Sequence, residues 1–297
     1  MTMKIKILYE DSNILAIDKP SGILVHHVPV LQNFSSCALP RVRGGTLGDK
    51  NFTEPALTDL FLKKYPKLEI VHRLDKETSG VLLLAKNQKA HEFLKNQFKN
   101  REVKKIYNAI VSGWVKNDHG IINKPIGRSP SDFRRRLAGR GARGELREAI
   151  TEYKVLKRFT IAIPKNFSFC ALPRVRGGTL GDKNFQESAF SKFSFLEIHP
   201  KTGRTHQIRV HMKFLNYPIL CDSLYNPRQK SKNNLGGQAK GFCPIPLPNL
   251  PLIKGEEKGG SLSRLALHAK SIEFKNLKGE TIKVESPLPK EFTNILI

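Results

Sequence analysis

Apolar residues occur in short runs between polar turns, and this pattern predicts more strand than helix. Runs rich in β-branched and aromatic residues that alternate with polar ones are typical of strands. The pattern places strands at residues 5–9, 14–18, 80–85, 103–111, 149–156, 193–199, 205–211 and 265–271. A further pair at 272–274 and 281–284 is separated by Asn-Leu-Lys-Gly, which is typical of a hairpin turn.

Helical periodicity occurs in two segments. Residues 56–64 place Ala56, Leu57, Leu60 and Phe61 on one face, and residues 88–100 carry a similar apolar stripe. Strands that outnumber scattered helices predict an α+β fold with a largely antiparallel, mixed sheet and flanking helices and loops.

Two nearly identical segments interrupt this pattern. Residues 33–52 and 166–185 differ only at Ser36 and Phe169 and are rich in turn signals. We interpret them as inserted repetitive elements that a fold tolerates in surface loops, although a duplicated structural loop is the alternative. Residues 229–261 contain six Gly and four Pro, which indicates a linker or loop. The rest of the chain has the size of one catalytic domain.

Charge changes this picture by suggesting a partner. The chain of 297 residues has 51 Lys and Arg against 26 Asp and Glu, for a net charge of +25. Such an excess favours a polyanion, and nucleic acid is preferred over an acidic membrane because no long basic amphipathic helix occurs. The absence of a secretory or transmembrane segment predicts a cytoplasmic location and no membrane partner. The four cysteines form no C-x-x-C pair, so neither a disulfide framework nor a zinc ribbon is expected.

The first segment that could carry chemistry is residues 71–80. Asp75 is flanked by His72, Arg73 and Lys76, whose cationic side chains would keep a carboxylate ionised. An ionised, positioned Asp can act as a nucleophile or a general base. The alternative is a surface cluster of ion pairs in a loop.

The second segment is residues 199–211. As a strand it would place Gln207, Arg209 and His211 on one face and His206 and Ile208 on the other. A fixed guanidinium on the polar face suits a carboxylate or a phosphate. Since His206 and His211 would lie on opposite faces, no shared metal is expected.

Two further segments suggest contacts with nucleic acid. Tyr107 follows Lys104 and Lys105 and could stack on a nucleobase, although a tyrosine packed in the core is the default. Residues 128–147 hold seven arginines with interspersed glycines, which predicts a loop rather than a helix and a clamp for the RNA backbone. We expect the backbone contacts from Arg134, Arg135, Arg136, Arg140 and Arg143.

Three of these segments, in this order, resemble the RluA-type pseudouridine synthases of large-subunit rRNA and tRNA. The matching residues are HRLDKETSGVLLLAKN, KKIYNAIVSG and TGRTHQIRVHMKFLNYPILCDSLY. The segments ILYEDSNILAIDKPSGILVH and RLALHAKSIEF are also similar to family segments. The resemblance covers almost all of residues 4–297 apart from the three irregular stretches.

The resemblance implies the roles of five residues. Asp75 would be the catalytic carboxylate, Arg209 its ion-pair partner, and Tyr107 the residue that stacks on the target base. Ile208 would pack in the pocket, and Arg73 would help to displace and replace the flipped base. The reaction implied is isomerisation of uridine to pseudouridine in RNA, with large-subunit rRNA favoured over tRNA, and it needs no cofactor or metal.

The resemblance also implies a domain organisation. We expect one pseudouridine synthase catalytic domain over residues 1–297, with loop insertions at 33–52, 166–185 and 229–261. No N-terminal accessory RNA-binding domain is expected, and a monomer is the default. Two other functions stay open: an RNA-binding protein whose site the insertions have disabled, and a metal-independent nuclease that uses His72 and His206 as an acid–base pair.

Overall fold

The structure is a computed structural model. It describes residues 5–26, 56–62, 64–162, 190–226 and 264–296. The three predicted insertions, 33–52, 166–185 and 229–261, lie outside the described residues.

Strands dominate the described residues, as the apolar pattern predicts. They are β1 (Lys6–Glu10), β2 (Ile14–Lys19), β3 (Glu69–Ile70), β4 (Ser79–Ala85), β5 (Lys104–Ser112), β6 (His119–Asn123), β7 (Ile126–Arg128), β8 (Arg136–Ala138), β9 (Arg143–Arg147), β10 (Ile150–Ala162), β11 (Phe190–Pro200), β12 (Leu267–Lys275) and β13 (Thr281–Glu285). The helices are α1 (Leu57–Leu62), α2 (Gln88–Lys99), α3 (Gln207–Phe214) and α4 (Lys290–Leu296). None of these helices is long and apolar enough to cross a membrane.

A ten-stranded sheet forms the body of the molecule. Its strand order is β1-β2-β4-β12-β5-β11-β10-β6, with β13 paired to β12 and β3 paired to β4. The β4–β12 pair is parallel, and the other pairs described for this sheet are antiparallel. The predicted α+β fold with a largely antiparallel, mixed sheet is confirmed.

Strand β4 lies at the centre of the core, and each of its residues is buried. The side chains of a strand point alternately to the two faces of the sheet. Leu83 accordingly packs with Ala90 and Leu94 of α2, whereas Leu82 packs with Leu57 of α1 on the other face. Burial of each leucine contributes about 2 kcal/mol, so β4 fixes the position of residues 72–78, which precede it.

The predicted strand at 205–211 is wrong, because α3 occupies residues Gln207–Phe214. The polar residues Gln207, Arg209 and His211 are as deeply buried as the apolar residues between them. Alternating polarity here reflects internal hydrogen bonding rather than alternating exposure to water. The helix begins after His206, which has a left-handed φ of +56°.

Other predicted elements need smaller corrections. Residues 128–147 do not form a plain loop, since β7, β8 and β9 form an antiparallel sheet in the order β8-β7-β9 that we call the Arg-rich sheet. The segments 265–271 and 272–274 form one strand, β12, with a register shift between Ala269 and Ser271. In α1, Leu60 is exposed rather than on the buried face. The hairpin at 276–279 is confirmed.

The close approach of β4 to β12 predicts the effect of a substitution at Gly80. A Cβ atom there would lie 2.2 Å from the carbonyl oxygen of Ala269, at a φ of +110°. Gly80→Ala is therefore expected to lower the free energy of unfolding by more than about 2 kcal/mol in chemical denaturation. Gly203→Ala is the control, because nothing lies within 4 Å of its Cβ position. Equal stability of the two variants would contradict this packing.

Candidate active site

The separate sequence motifs meet in one cleft of about 560 Å³. Its lining includes the segment before β4, the side of β5 and the segment that enters α3. The structure brings together all five residues that the resemblance singles out, namely Arg73, Asp75, Tyr107, Ile208 and Arg209.

Asp75 and Arg209 form an ion pair at the cleft. Nη1 of Arg209 lies 3.2 Å from Oδ2 of Asp75. The Asp75 side chain is 17% exposed and that of Arg209 is 5% exposed. Asp75 thus reaches solvent, whereas Arg209, which holds it, is almost fully buried. The outer side of the Asp75 carboxylate is therefore available to a ligand.

Asp222 holds the opposite side of the same guanidinium. Its two oxygens accept hydrogen bonds from Nε and Nη2 of Arg209, both at 2.8 Å. Asp222 is fully buried, and Oδ1 also accepts the backbone N–H groups of Leu224 and Tyr225. Burial alone would lower the pKa of Arg209, but the hydrogen bonds and charge of Asp222 outweigh it and raise the pKa. Arg209 is therefore a permanent cation.

A third carboxylate completes the surroundings of Arg209. Oε2 of Glu77 lies 3.4 Å from Nη2, and its Oε1 accepts a hydrogen bond from Ser223. Sequence reasoning assigned no role to Asp222 or Glu77. The segment CDSLY was part of the resemblance, but nothing in the spacing indicated that its aspartate faces an arginine 13 residues earlier.

His206 lies on the other side of Asp75. Its Nε2 is 3.8 Å from Oδ1 of Asp75, and its Nδ1 is 2.9 Å from the Tyr225 hydroxyl. That hydroxyl also accepts the backbone N–H of Arg136 at 2.9 Å. Burial lowers the pKa of His206 despite the nearby charge of Asp75. The lowered pKa favours a neutral imidazole ring beside Asp75.

Tyr107 forms part of the cleft wall from β5. It pairs in register with Ala269 of β12 and Ile198 of β11, so its backbone is fixed on both sides. Burial, and then the charge of Asp75, raise the pKa of Tyr107, which keeps the phenol neutral. A neutral aromatic ring on a rigid strand suits a stacking partner.

A buried lysine anchors the segment that carries Asp75. Lys19 at the end of β2 is fully buried, and its Nζ donates to the carbonyl oxygens of Pro20, Lys76 and Thr78 at 2.9 to 3.0 Å. Burial lowers the pKa of Lys19 to about 8, against the opposing effect of Asp75. Lys19 is still charged at neutral pH and fixes the backbone on either side of Glu77. Sequence reasoning missed this residue.

His72 has a structural role that argues against the nuclease alternative. Its Nε2 accepts the backbone N–H of Leu83 at 3.0 Å, and its ring stacks on Phe98 with centroids 4.9 Å apart. Burial and the neighbouring charge of Lys105 lower the pKa of His72 to about 3. A ring nitrogen that already holds a backbone donor does not serve as a general base.

His211, the other histidine considered for a metal, faces away from the cleft. Its two ring nitrogens lie within hydrogen-bond distance of the Thr151 hydroxyl and the Lys124 carbonyl oxygen. His206 and His211 thus have different partners. They have different partners because His206 precedes α3 and His211 lies within the helix, and not because the side chains of a strand alternate between two faces.

The Arg-rich sheet lies beside the cleft. Arg134 pairs with Asp132, and Arg147 pairs with Glu145. The other five arginines of residues 128–147 form no ion pair with any described residue: Arg128, Arg135, Arg136, Arg140 and Arg143. The N–H of Arg136 on the Tyr225 hydroxyl joins this sheet to the residues around Asp75.

Comparison with known proteins identifies the class to which this fold and site belong. Residues 13–214 match the family model described as RNA pseudouridylate synthase. Because the match covers more than half of the chain, the chain belongs to the RNA pseudouridylate synthase family, whose members are isomerases of uridine in RNA. The family predicted from the motifs is confirmed.

Curated relatives agree with this assignment. An uncharacterized RNA pseudouridine synthase of Bacillus subtilis is 31% identical over 99% of this chain and 72% of its own length. The ribosomal large subunit pseudouridine synthase D of Borreliella burgdorferi is 36% identical over 74% of this chain and 54% of its own. The Pseudomonas aeruginosa protein of that name is 31% identical over 99% and 71%. The chain thus spans between about half and three quarters of these relatives.

Solved structures support the fold. The human RNA pseudouridylate synthase domain containing 1 superposes with a TM-score of 0.61 at 20% identity, covering 96% of this chain and 84% of that one. The human RNA pseudouridylate synthase domain containing 4 superposes with a TM-score of 0.58 at 24% identity, covering 98% of this chain and 91% of that one. Both show that the sheet described above is a pseudouridylate synthase fold.

A buried histidine lies behind the segment that carries Asp75. His268 on β12 is 1% exposed, and its Nδ1 is 2.9 Å from the Ser79 hydroxyl. Nη1 of Arg264 donates to the same hydroxyl at 2.9 Å. Burial lowers the pKa of His268 to about 4.

This buried histidine predicts a loss of stability in acid. In the unfolded chain, His268 binds a proton below its ordinary pKa of 6.5, whereas in the folded chain it binds this proton only below about pH 4. Stability present above pH 6.5 is therefore lost as pH falls, by at most about 1.4 kcal/mol per pH unit. The free energy of unfolding of wild type and of His268→Asn would be measured by urea denaturation at several pH values. Between pH 6.5 and 4, the free energy of the variant should change with pH less steeply than that of wild type, by about this amount. An unchanged slope would contradict the buried neutral ring.

Proposed function

We propose that this chain isomerises uridine to pseudouridine in RNA, that its substrate is large-subunit rRNA, and that Asp75 is its catalytic residue. The observation that carries the proposal is the Asp75–Arg209 ion pair, with Asp75 facing a cleft and Arg209 buried behind it. The names of the ribosomal relatives support rRNA over tRNA.

The cleft is suited to a nucleotide that has left its helix. A base inside a stacked helix hides its glycosidic bond, so the enzyme must extrude the target nucleotide. A volume of about 560 Å³ is sufficient for one nucleotide. Tyr107 then supplies the stacking surface and Ile208 an apolar contact, while Arg73, which is exposed at the rim, fills the space that the flipped base leaves.

The reaction balances without an external reagent. The N1–C1′ bond breaks, the uracil turns in place, and a C5–C1′ bond forms; C5 then loses its proton and N1 gains one. Whether Asp75 attacks C1′ or removes a ribose proton, it acts as a carboxylate. Arg209 lies against that carboxylate, and because Asp222 already holds Arg209, the pair needs little rearrangement when substrate binds.

The Arg-rich sheet supplies the electrostatic part of the proposal. Arg135, Arg136, Arg140 and Arg143 have no carboxylate partner among the described residues, so their guanidiniums are available to phosphates. Arg134 pairs with Asp132 and would contact RNA with its remaining N–H groups. Backbone contacts of this kind position RNA without reading its sequence.

The same proposal includes the predicted organisation of the protein. We infer a monomeric, cytoplasmic protein with one catalytic domain, in which 33–52, 166–185 and 229–261 are loop insertions. The alternative of an RNA-binding protein with a disabled site is less favoured, because Asp75, Tyr107 and Arg209 line one continuous cleft.

Substitution of Asp75 tests the catalytic assignment. Purified Asp75→Asn protein should release no measurable tritium from large-subunit rRNA transcripts that carry [5-³H]uridine, because the amide can neither attack nor accept a proton. Its affinity for the transcript should stay within about threefold of wild type, since the amide conserves shape. Asp118→Asn is the control, because Asp118 pairs with Arg158 at the surface. Turnover by Asp75→Asn would refute the assignment.

Substitution of Arg209 tests the positioning of Asp75. Arg209→Lys keeps the charge, but one ammonium cannot contact both Asp75 and Asp222 as the guanidinium does. The kcat for pseudouridine formation is expected to fall by about 100-fold or more, with a smaller change in KM. Arg158→Lys serves as the matched control at an ion pair outside the cleft. If Arg209→Lys kept wild-type kcat, the simultaneous contact of Arg209 with Asp75 and Asp222 would have no role in the reaction.

A further inference from the structure

The most exposed large apolar side chain of the described residues belongs to Phe133. It is 87% exposed and lies in the turn between β7 and β8 of the Arg-rich sheet. A phenyl ring in water is unfavourable, and nothing within the described chain covers it. The residues around Phe133 therefore indicate which kind of partner covers the ring.

Hydrogen bonds close the turn that carries Phe133. The carbonyl oxygen of Asp132 accepts the N–H of Arg135 at 2.9 Å, which closes the turn around the ring. Oδ1 of Asp132 accepts the N–H of Arg134, and its carboxylate binds the Arg134 guanidinium through two further hydrogen bonds. Ser129 also donates its N–H to the carbonyl of Arg135. The fold thus presents the ring on a hydrogen-bonded turn.

The same turn is connected to the active site. Directly after it, the N–H of Arg136 bonds to the Tyr225 hydroxyl, which bonds to His206 beside Asp75. The Arg135 guanidinium lies over the Tyr225 ring, 5.8 Å from its centroid. RNA placed with a uridine at Asp75 would therefore pass close to this turn.

Charge decides which partner fits. Arg135, Arg136, Arg140 and Arg143 in the same small sheet have no carboxylate partner among the described residues. An apolar protein surface on Phe133 would desolvate these cations without compensation. Single-stranded RNA satisfies both features, because its phosphates pair with guanidiniums and its bases stack on aromatic rings.

We propose that Phe133 stacks on an unpaired nucleobase of the substrate RNA, outside the target uridine. The stacking role rests on the proposed function, since it takes RNA as the substrate. Every base has a π-face, so the contact contributes affinity and register rather than base identity. Phe133 is thus a positioning residue, separate from Tyr107 in the cleft.

The test compares a leucine and a tryptophan at this position. Phe133→Leu keeps an apolar side chain but loses the ring, and should raise KM for an unmodified large-subunit rRNA transcript about 5- to 100-fold with unchanged kcat. Phe133→Trp should stay within about threefold of wild type. Ile121→Ala, which alters another exposed apolar residue on β6, is the control and should change neither constant. Equal KM values for Phe133→Leu and wild type, or equal defects in both Phe133 variants, would overturn the proposal.

A direct readout separates this role from the proposed function. Trp114 is the single tryptophan, so Trp114→Phe combined with Phe133→Trp reports on the turn alone. Its emission should be quenched when the transcript is added, and unchanged emission would overturn stacking. If wild type forms no pseudouridine while quenching occurs, the proposed function fails and the stacking stands. Emission that changes with protein concentration and not with RNA would assign Phe133 to contact with a second copy.

Discussion

One buried guanidinium organises the site. Arg209 binds Asp222 through two hydrogen bonds on its inner side and Asp75 on its outer side, so a cation with almost no access to water joins a buried carboxylate to one that faces the cleft. Loss of one partner from a buried ion pair costs about 3 to 5 kcal/mol, because the remaining charge is left in a low-dielectric environment. The fold around α3 and residues 72–78 keeps these groups in register.

The central sheet provides that register from both directions. Strand β4 is buried on its two faces and begins directly after the segment that carries Asp75, while Lys19 from β2 holds the carbonyl groups of this segment. On the other side, α3 begins directly after His206, whose backbone is left-handed, and Arg209 in the first turn of the helix faces Asp75. The Arg-rich sheet is joined to the same residues through Tyr225. The arginines proposed to position RNA and the carboxylate proposed to be catalytic thus share one hydrogen-bonded framework.

Much of this could be predicted from the sequence, and the failures have physical causes. Strands were predictable where alternating burial produces alternating polarity, as in the second half of β11, in which Leu196 and Ile198 are buried and Glu197 and His199 are only partly buried. The same rule failed at α3, where Gln207, Arg209 and His211 are polar yet buried, so polarity no longer reported exposure. The motif resemblance indicated Asp75, Tyr107 and Arg209 and their convergence. It did not indicate Lys19 or Asp222, whose roles depend on contacts with segments 57 residues and 13 residues away in the chain. Such partners leave no local pattern.

Mapping of pseudouridine at nucleotide resolution tests the central claim most directly. RNA from cells that lack this chain would be compared with RNA from the same cells supplied with the wild-type chain. The account predicts that at least one large-subunit rRNA position loses its pseudouridine without the chain and regains it when the wild type is restored. Identical pseudouridine maps in the presence and absence of the chain would contradict it.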